Sequence, residues 1–498
     1  MFKSLLVANR GEIAVRVIRA CRELGIRSVA ICSDVDRESL HTRLADLVVP
    51  LGGRTARDSY LDIERVVHAA QAAGAEAVHP GYGFLSERAA FARACERAGL
   101  VFVGPPADAI DQMGSKTAAR TLAARVGVPV VPGEIPGEPT DEAVVEAVRR
   151  VGLPALLKPA AGGGGIGMRV VRTLAEAAEA VRGARRDATA AFGDDALYVE
   201  RLVEKPRHVE LQVFGDRHGR MVHVLERECS LQRRHQKVVE ECPSPVVTPR
   251  LRARMGEAAV TVARAAGYVN AGTVEFLLEG EGDDARFYFL EMNTRLQVEH
   301  PVTEAVSGLD LVQAQLRVAS GEPLPWSQEE IAPRGHAIEC RVYAEDPAAG
   351  FLPQGGRVLV FRPPSGPGIR VDAGIAEGDD VPVQFDPLVA KVIVHAPTRE
   401  AALARAHRAM SDTVVLGVHT NVSFLRRVLE HPDVLTGRID TGWLDRTGAS
   451  LAEPPEPDDP AVAAAAAALS GELAPARPVE VPGGEDPWSR LAGWRNGA

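Results

Sequence analysis

Short apolar runs alternate with amphipathic stretches over the first hundred residues. Residues 3–9 predict a buried strand, and Asn9-Arg10-Gly11-Glu12 leads into a helical pattern that lasts through Cys21. Residues 27–33 predict a second strand and 46–50 a short third. A helical period over 59–73 precedes a strand at 75–79, and a helix over 88–98 precedes a strand at 100–103. Strands alternating with helices imply a parallel sheet covered on both faces. No G-x-G-x-x-G follows the first strand, so this Rossmann-like region lacks the phosphate turn of a dinucleotide site. His79-Pro80-Gly81-Tyr82-Gly83-Phe84-Leu85-Ser86-Glu87 follows a strand end, where open α/β sheets gather ligands. By composition alone it is also an ordinary Gly/Pro turn.

The pattern then changes. Met113-Gly114-Ser115-Lys116 opens a helix running to about Arg125. A lysine in the first turn opposes the helix dipole, with a surface position as the ordinary explanation. Residues 151–159 predict a strand with Lys158 near its end, followed by Ala160-Ala161-Gly162-Gly163-Gly164-Gly165-Ile166-Gly167. Each glycine in regular structure costs ~0.5–1 kcal/mol against alanine, so the run reads as a loop. Its N–H groups can wrap phosphates, and a flexible linker is the alternative. Residues 197–203 predict a strand running into a turn. Residues 208–214 alternate strictly, with His208, Glu210 and Gln212 on one face. Residues 226–241 are densely charged, and charge alone makes them a solvated loop.

Two runs carry the chemistry. Gly272-Thr273-Val274-Glu275-Phe276-Leu277-Leu278 is a strand pattern with an acid among apolar residues, and a turn-like 279–284 follows. Phe287-Tyr288-Phe289-Leu290 then begins a second strand that delivers Glu291, Asn293, Arg295, Gln297 and Glu299 before Pro301. A hairpin sets Glu275 beside Glu291. Two carboxylates about 4 Å apart repel by roughly 4 kcal/mol at an effective dielectric near 20, so a proton, a basic side chain or a hard cation must offset them. Mg²⁺ held by one or two carboxylates and substrate phosphates suits the pattern. If the extended chain persists, the odd-numbered polar residues share one face. A solvated charged strand is the plainer reading, against which stand the apolar start and Pro301. Residues 337–347 begin a C-terminal part of short strands, with Arg341 sharing a face with Glu339 and Tyr343, where a structural ion pair would be ordinary.

The 498 residues allow two to four domains. A net charge of −10 argues against a nucleic-acid surface and leaves room for a local cationic nucleotide pocket. No apolar run approaches the ~20 residues of a membrane span, and the N-terminus reads as a strand rather than a signal peptide, so the expected location is cytoplasmic. None of the six cysteines forms a C-x-x-C pair. After about Gly448 the chain turns Pro-, Ala- and acid-rich: 453–460 reads as linker and 461–469 as an Ala-rich helix. Trp488, Leu491 and Trp494 cluster beyond it, an expected docking element for a partner subunit.

The string Glu291-Met292-Asn293-Thr294-Arg295-Leu296-Gln297-Val298-Glu299-His300-Pro301-Val302-Thr303-Glu304 resembles the signature of the biotin carboxylases of the ATP-grasp superfamily, and the likeness extends over residues 1–446. It implies an α/β and α+β multidomain fold: a Rossmann-like N-domain (1–114), an ATP-grasp domain (115–333) with a mobile lid over about 131–203, a β-rich C-terminal domain (334–446), and a linker and tail (447–498). It implies carboxylation of biotin on a carrier protein, driven by ATP and bicarbonate through carboxyphosphate. The cofactors implied are ATP and Mg²⁺ (or Mn²⁺), with biotin as carrier-bound substrate. By resemblance, Glu275, Glu291 and Asn293 hold the metal. Lys116, Lys158, Gly164, Gly165, Glu200, Arg201, Leu202, Val203, His208, Gln232 and His235 serve ATP, with the glycine run as phosphate cover. Lys237, Arg295, Gln297 and Val298 hold bicarbonate, Glu299 is the base, and Arg341 and Tyr82 face biotin, with Glu87 near the centre. The family usually has a basic residue where Ile166 stands. Phe385-Asp386-Pro387-Leu388-Val389-Ala390-Lys391 and Gly417-Val418-His419-Thr420-Asn421 look like acyl-CoA carboxylase α-chains of the acetyl/propionyl type. Partners implied are a biotin carboxyl carrier, a carboxyltransferase and a second copy of the chain. Another ATP-grasp carboxylate ligase, which need not keep Arg295, Glu299 and Arg341, and a non-catalytic scaffold subunit are the alternatives.

Overall fold

A strand buried on both sides alternates its side chains between two cores, and the first strand does so. Leu5 and Val7 of Ser4–Val7 enter one apolar cluster with Val17 and Ala30, while Leu6 and Ala8 enter another with Val29, Ile31 and Val78. The computed structural model describes residues 1–160 and 167–453, of which Met1–Ala452 form one compact unit. The glycine residues Gly164 and Gly165, and the linker, Ala-rich helix and Trp488–Leu491–Trp494 cluster expected in the tail, lie outside the described residues.

The N-terminal sheet is parallel, in the order Leu47–Pro50, Arg27–Cys32, Ser4–Val7, Ala77–His79, Val101–Phe102. The order reverses between Ser4–Val7 and Ala77–His79, and ligands gather beyond the carboxyl ends of strands at such a point. There Asn9 Nδ2 donates to the carbonyls of Pro80 and Tyr82, both at 2.8 Å. Expected element ends shift by a few residues where local chemistry decides. The helix expected over 59–73 starts at Ile63, because Asp62 caps it by accepting from the Arg65 N–H. The strand expected over 151–159 starts at Ala155, because the helix Asp141–Val151 runs on to Val151.

His79 holds the loop that follows. Its Nδ1 accepts from the Gly81 N–H at 2.9 Å, so the neutral ring's proton lies on Nε2, 3.2 Å from Gln315 Oε1. Burial pulls the His79 imidazole down to about 4. Unfolded, it titrates near 6.5, so between those values the unfolded chain binds a proton that the native chain refuses. Stability from this group is complete above pH ~6.5 and falls by about 3 kcal/mol as pH drops toward 4. In His79→Gln the proton uptake on unfolding at pH 5 should fall by about one; unchanged uptake contradicts the assignment.

The second sheet has eight antiparallel strands in the order Arg286–Asn293, Asn270–Glu279, Arg207–Gly215, Met221–Arg233, Gln236–Cys242, His336–Tyr343, Leu388–Ala396, Ile369–Ala373. It crosses the boundary expected at 333/334: His336–Tyr343 pairs with Gln236–Cys242, so the C-terminal part extends the central sheet. The charged segment 226–241 is a buried hairpin, Met221–Arg233 and Gln236–Cys242, and not the solvated loop its charge suggests. Its charges face partners across the sheet. Its tip, Arg234-His235, has φ of +49° and +66°, the left-handed pair that a two-residue hairpin turn requires.

A third sheet, of four strands, runs Gly133–Glu134, Leu197–Arg201, Ala155–Pro159, Arg169–Val171. With the helices Asp141–Val151 and Leu174–Phe192 it buries its own apolar cluster, including Val148, Leu157, Val181 and Val199. Val131 and Val203, at the two ends of this segment, pack together against Leu277 and Tyr288.

Candidate active site

The hairpin of Asn270–Glu279 and Arg286–Asn293 sets Glu275 directly opposite Glu291. A bulge makes this register: Phe276 pairs with Phe289, so Leu290 is the extra residue before the two acids meet. Bulges re-aim side chains beside active sites in this way. The expected extended face stops at Asn293. Thr294 to Val298 form a loop and Glu299 occupies the N-cap of the helix His300–Ser307. The odd-numbered residues therefore converge through a turn and not along a strand. Arg295 donates to Gln297 Oε1 at 2.9 Å, to Asn293 Oδ1 at 3.1 Å and to Glu87 Oε2 at 2.9 Å.

Three carboxylates meet one ammonium. Lys237 Nζ lies 2.6 Å from Glu210, 2.9 Å from Glu275 and 2.6 Å from Glu299. The Glu299 carboxylate is fully buried, and its second oxygen accepts from Arg341 at 2.9 Å. Burial opposes the charge of Glu299, but Lys237 and Arg341 outweigh it and hold the carboxyl well below its ordinary value. Glu299 is thus ionised and poised to accept a proton once a substrate draws either cation away. Arg341 also donates to Glu240 at 2.6 Å, and burial lifts the Glu240 carboxyl to about 7 against the pull of that guanidinium. The ordinary ion pair is present, then, but it lies inside the cluster and not on the surface.

Beneath the cluster lies Arg227, 0% exposed, which residue patterning did not single out. It donates to Glu210 at 2.6 Å, to Gln212 and Thr303 at 3.0 Å and to Thr273 at 3.1 Å. Glu210 bridges it to Lys237. The signal available was the His208–Glu210–Gln212 face, which has no reason to be polar in a buried strand unless charges answer it.

The metal candidates fit a hard cation. Glu275 and Glu291 supply carboxylates and Asn293 an amide oxygen. Burial first, then the charge of Glu275, pushes the Glu291 carboxyl above its ordinary value, although 36% of its side chain still meets solvent. Nearby cations partly answer it: Lys116 Nζ is 3.9 Å from Glu291. Glu275 also accepts from Asn293 Nδ2 at 2.9 Å and has His208 Nε2 at 3.0 Å.

The nucleotide candidates surround this. Lys116 is the first residue of the helix Lys116–Arg125, capped by Ser115. Lys158 is buried and donates to Glu200 at 2.9 Å, and Arg120 from the Lys116 helix donates to the other Glu200 oxygen at 2.6 Å. Along the turn, the N–H groups of Arg201 and Leu202 are committed to the carbonyls of Pro132 and Pro154. Leu202 can offer a base only its carbonyl or side chain. Among the described residues the N–H of Val203 has no backbone partner. Gln232 pairs with Lys237 across the hairpin, and His235 is at its tip. Two buried polar atoms lack partners among the described residues: Gln297 Nε2 and Tyr82 Oη. Both can donate, which suits an anion between the Tyr82 loop and the Glu299 loop. The N–H groups of Lys237 are all taken, so an entering anion must exchange with one of its carboxylates.

The comparisons agree with this geometry. Residues 1–110 match the family described as biotin carboxylase, N-terminal domain; 115–327 match the carbamoyl-phosphate synthase L chain, ATP binding domain; 339–446 match the biotin carboxylase C-terminal domain. The biotin carboxylase of Halalkalibacterium halodurans is 50% identical over 444 residues, 89% of this chain and 97% of that protein. The mitochondrial methylcrotonoyl-CoA carboxylase subunit alpha of Arabidopsis thaliana is 47% identical over 90% of this chain, which spans only 61% of that subunit. Among solved structures, the biotin carboxylase domain of Hydrogenobacter thermophilus 2-oxoglutarate carboxylase, in complex with MgADP, ADP and bicarbonate, superposes with a TM-score of 0.87. It is 43% identical and covers 92% of this chain and 100% of its own. The Campylobacter jejuni biotin carboxylase, in a β-γ-ATP complex, has a TM-score of 0.86 at 41% identity, over 90% of this chain and 99% of its own. No described helix is long and apolar enough to cross a membrane. A buried Glu299 between Lys237 and Arg341, set beside paired acids on a bulged hairpin, is the arrangement that half-identical relatives carry along almost their whole length, and the chain belongs to the biotin carboxylase family.

Proposed function

We propose that this chain carboxylates biotin held on a carrier protein or domain, using ATP and bicarbonate. The observation that carries the reading is the fully buried Glu299 carboxylate gripped by Lys237 and Arg341, next to the partnerless Gln297 Nε2 and Tyr82 Oη. Bicarbonate binds among Lys237, Arg295, Gln297 and Val298. Glu299 takes its proton as one of its oxygens attacks the γ-phosphorus of ATP, and ADP leaves. The carboxyphosphate breaks to CO₂ and phosphate; phosphate removes the biotin ureido proton, and the nitrogen attacks CO₂. Arg341 supports the enolate-like charge on the ureido oxygen. Glu275, Glu291 and Asn293 would hold Mg²⁺, which neutralises the transferring phosphates. Lys116 and Lys158 orient the nucleotide, with its base at the Glu200–Val203 turn and near His208, Gln232 and His235. The segment 131–203, with its own core and its two ends packed together, serves as the lid that keeps water off the labile intermediate.

The parent assembly is read as an acyl-CoA carboxylase, in which a carboxyltransferase and a carrier complete the cycle and two copies of this chain pair. The likeness to methylcrotonoyl-CoA carboxylase alpha subunits supports an acyl-CoA type, and the acceptor is chosen outside this chain. Cytoplasmic residence is kept as the default.

The test is ADP release with and without bicarbonate and free biotin. Cleavage should need bicarbonate and rise with biotin; cleavage indifferent to both would overturn the reading. Glu291→Gln should raise the Mg²⁺ concentration needed for half-maximal rate and depress turnover by about a hundredfold. An unchanged Mg²⁺ dependence removes Glu291 from the metal site.

A further inference from the structure

Lys391 lies in the strand Leu388–Ala396 and is 0% exposed. Its Nζ donates to the carbonyl of Val298 at 2.8 Å and lies 3.2 Å from Glu12 Oε1. The Tyr82 ring centroid is 5.9 Å away. One ammonium therefore touches the first helix of the N-terminal sheet, the loop carrying Tyr82, and the residue before Glu299. Glu12 is buried as the second residue of the helix Gly11–Glu23, and among the described residues its carboxylate oxygens make no hydrogen bond. Lys391 is its counterion. The seam is closed tightly here, since a Cβ on Gly374 would come within 2.5 Å of the Glu12 nitrogen.

A seam needing only adhesion would be served as well by apolar side chains, because a buried ion pair is often no better than a hydrophobic replacement. An ammonium adds a hydrogen bond to a carbonyl. The Val298–Glu299 peptide is planar, so fixing its carbonyl fixes the plane that carries the Glu299 N–H and sets how Val298 and Glu299 present themselves to the cleft. Lys237 and Arg341 hold the carboxylate end of Glu299 and Lys391 holds the backbone end.

We propose that Lys391, neutralised by Glu12, is a positioning residue for the bicarbonate site, locking the Val298–Glu299 peptide from the side opposite the cleft. The inference rests on the reading that bicarbonate binds at Val298 and is deprotonated by Glu299. It is distinct from any role in ATP binding, because Lys391 touches none of the nucleotide candidates.

The experiment compares the wild-type chain with Lys391→Met and with Glu12→Gln/Lys391→Met, the second of which leaves no lone buried charge. The KM for bicarbonate should rise about tenfold or more in both, while the KM for ATP stays within about twofold. KM values do not depend on the folded fraction, so partial loss of stability does not blur the result. A bicarbonate KM within about twofold of wild type in the double variant overturns the inference, as does a parallel rise in both KM values. A double variant that cannot fold also overturns it, since the pair would then be a stability element. A wild-type chain without bicarbonate-dependent ATP cleavage fails the underlying reading, and this inference with it.

Discussion

Glu299→Gln is expected to abolish bicarbonate-dependent ATP cleavage while leaving nucleotide affinity near that of the wild type. The carboxylate is the one fully buried acid that both Lys237 and Arg341 contact. An amide keeps the shape and one acceptor oxygen but takes no proton, and loss of a positioned base costs about 10²–10⁴ in rate. The fold should survive, because Lys237 retains Glu210 and Glu275 and Arg341 retains Glu240. The nucleotide contacts stand on other elements, Lys116–Arg125, Ala155–Pro159 and the turn after Leu197–Arg201. Nucleotide titration and turnover, measured on one preparation, check both halves. Lost ATP affinity with surviving chemistry on bound nucleotide would reverse the roles.

The second large effect is on stability. Arg227→Met should destabilise the chain by about 3–5 kcal/mol, because it strips Glu210 of its guanidinium and leaves Gln212, Thr273 and Thr303 without their donor. Burial and the nearby Glu299 charge already push the Glu210 carboxyl above its ordinary value, so an unpaired carboxylate there is poorly tolerated. Adding Glu210→Gln removes the orphaned charge and should restore a large part of the loss, and a double-mutant cycle in urea measures the coupling. A single variant as stable as the wild type, or a double variant that recovers nothing, would show that Arg227 does not support the cluster in this way.

Much of this site is legible along the chain, for a physical reason: strand alternation and hairpin turns are local. Glu275 and Glu291 could be placed side by side because each stands in an apolar run and a turn separates them; only the bulge at Leu290 was hidden. The N-terminal sheet was legible through its alternation of strand and helix. Long-range pairing was not. The segment 226–241 looks solvated because no local rule says that Arg227 will meet Glu210 and Thr303, or that Glu240 will meet Arg341. The extended face expected after Glu291 failed because Glu299 begins a helix, a choice set by Pro301 in its first turn. Lys391 and Glu12 read as unremarkable charges until three distant segments are brought to one point.

The central claim is that a bicarbonate oxygen, and not water, attacks the γ-phosphorus. Bicarbonate labelled with ¹⁸O, given with ATP and free biotin, tests it. Carboxyphosphate breaking to CO₂ and phosphate leaves one bicarbonate oxygen on phosphorus, so each released phosphate should carry one labelled oxygen when the label is fully enriched. Phosphate released without label, at a rate matching ADP formation, would contradict the account.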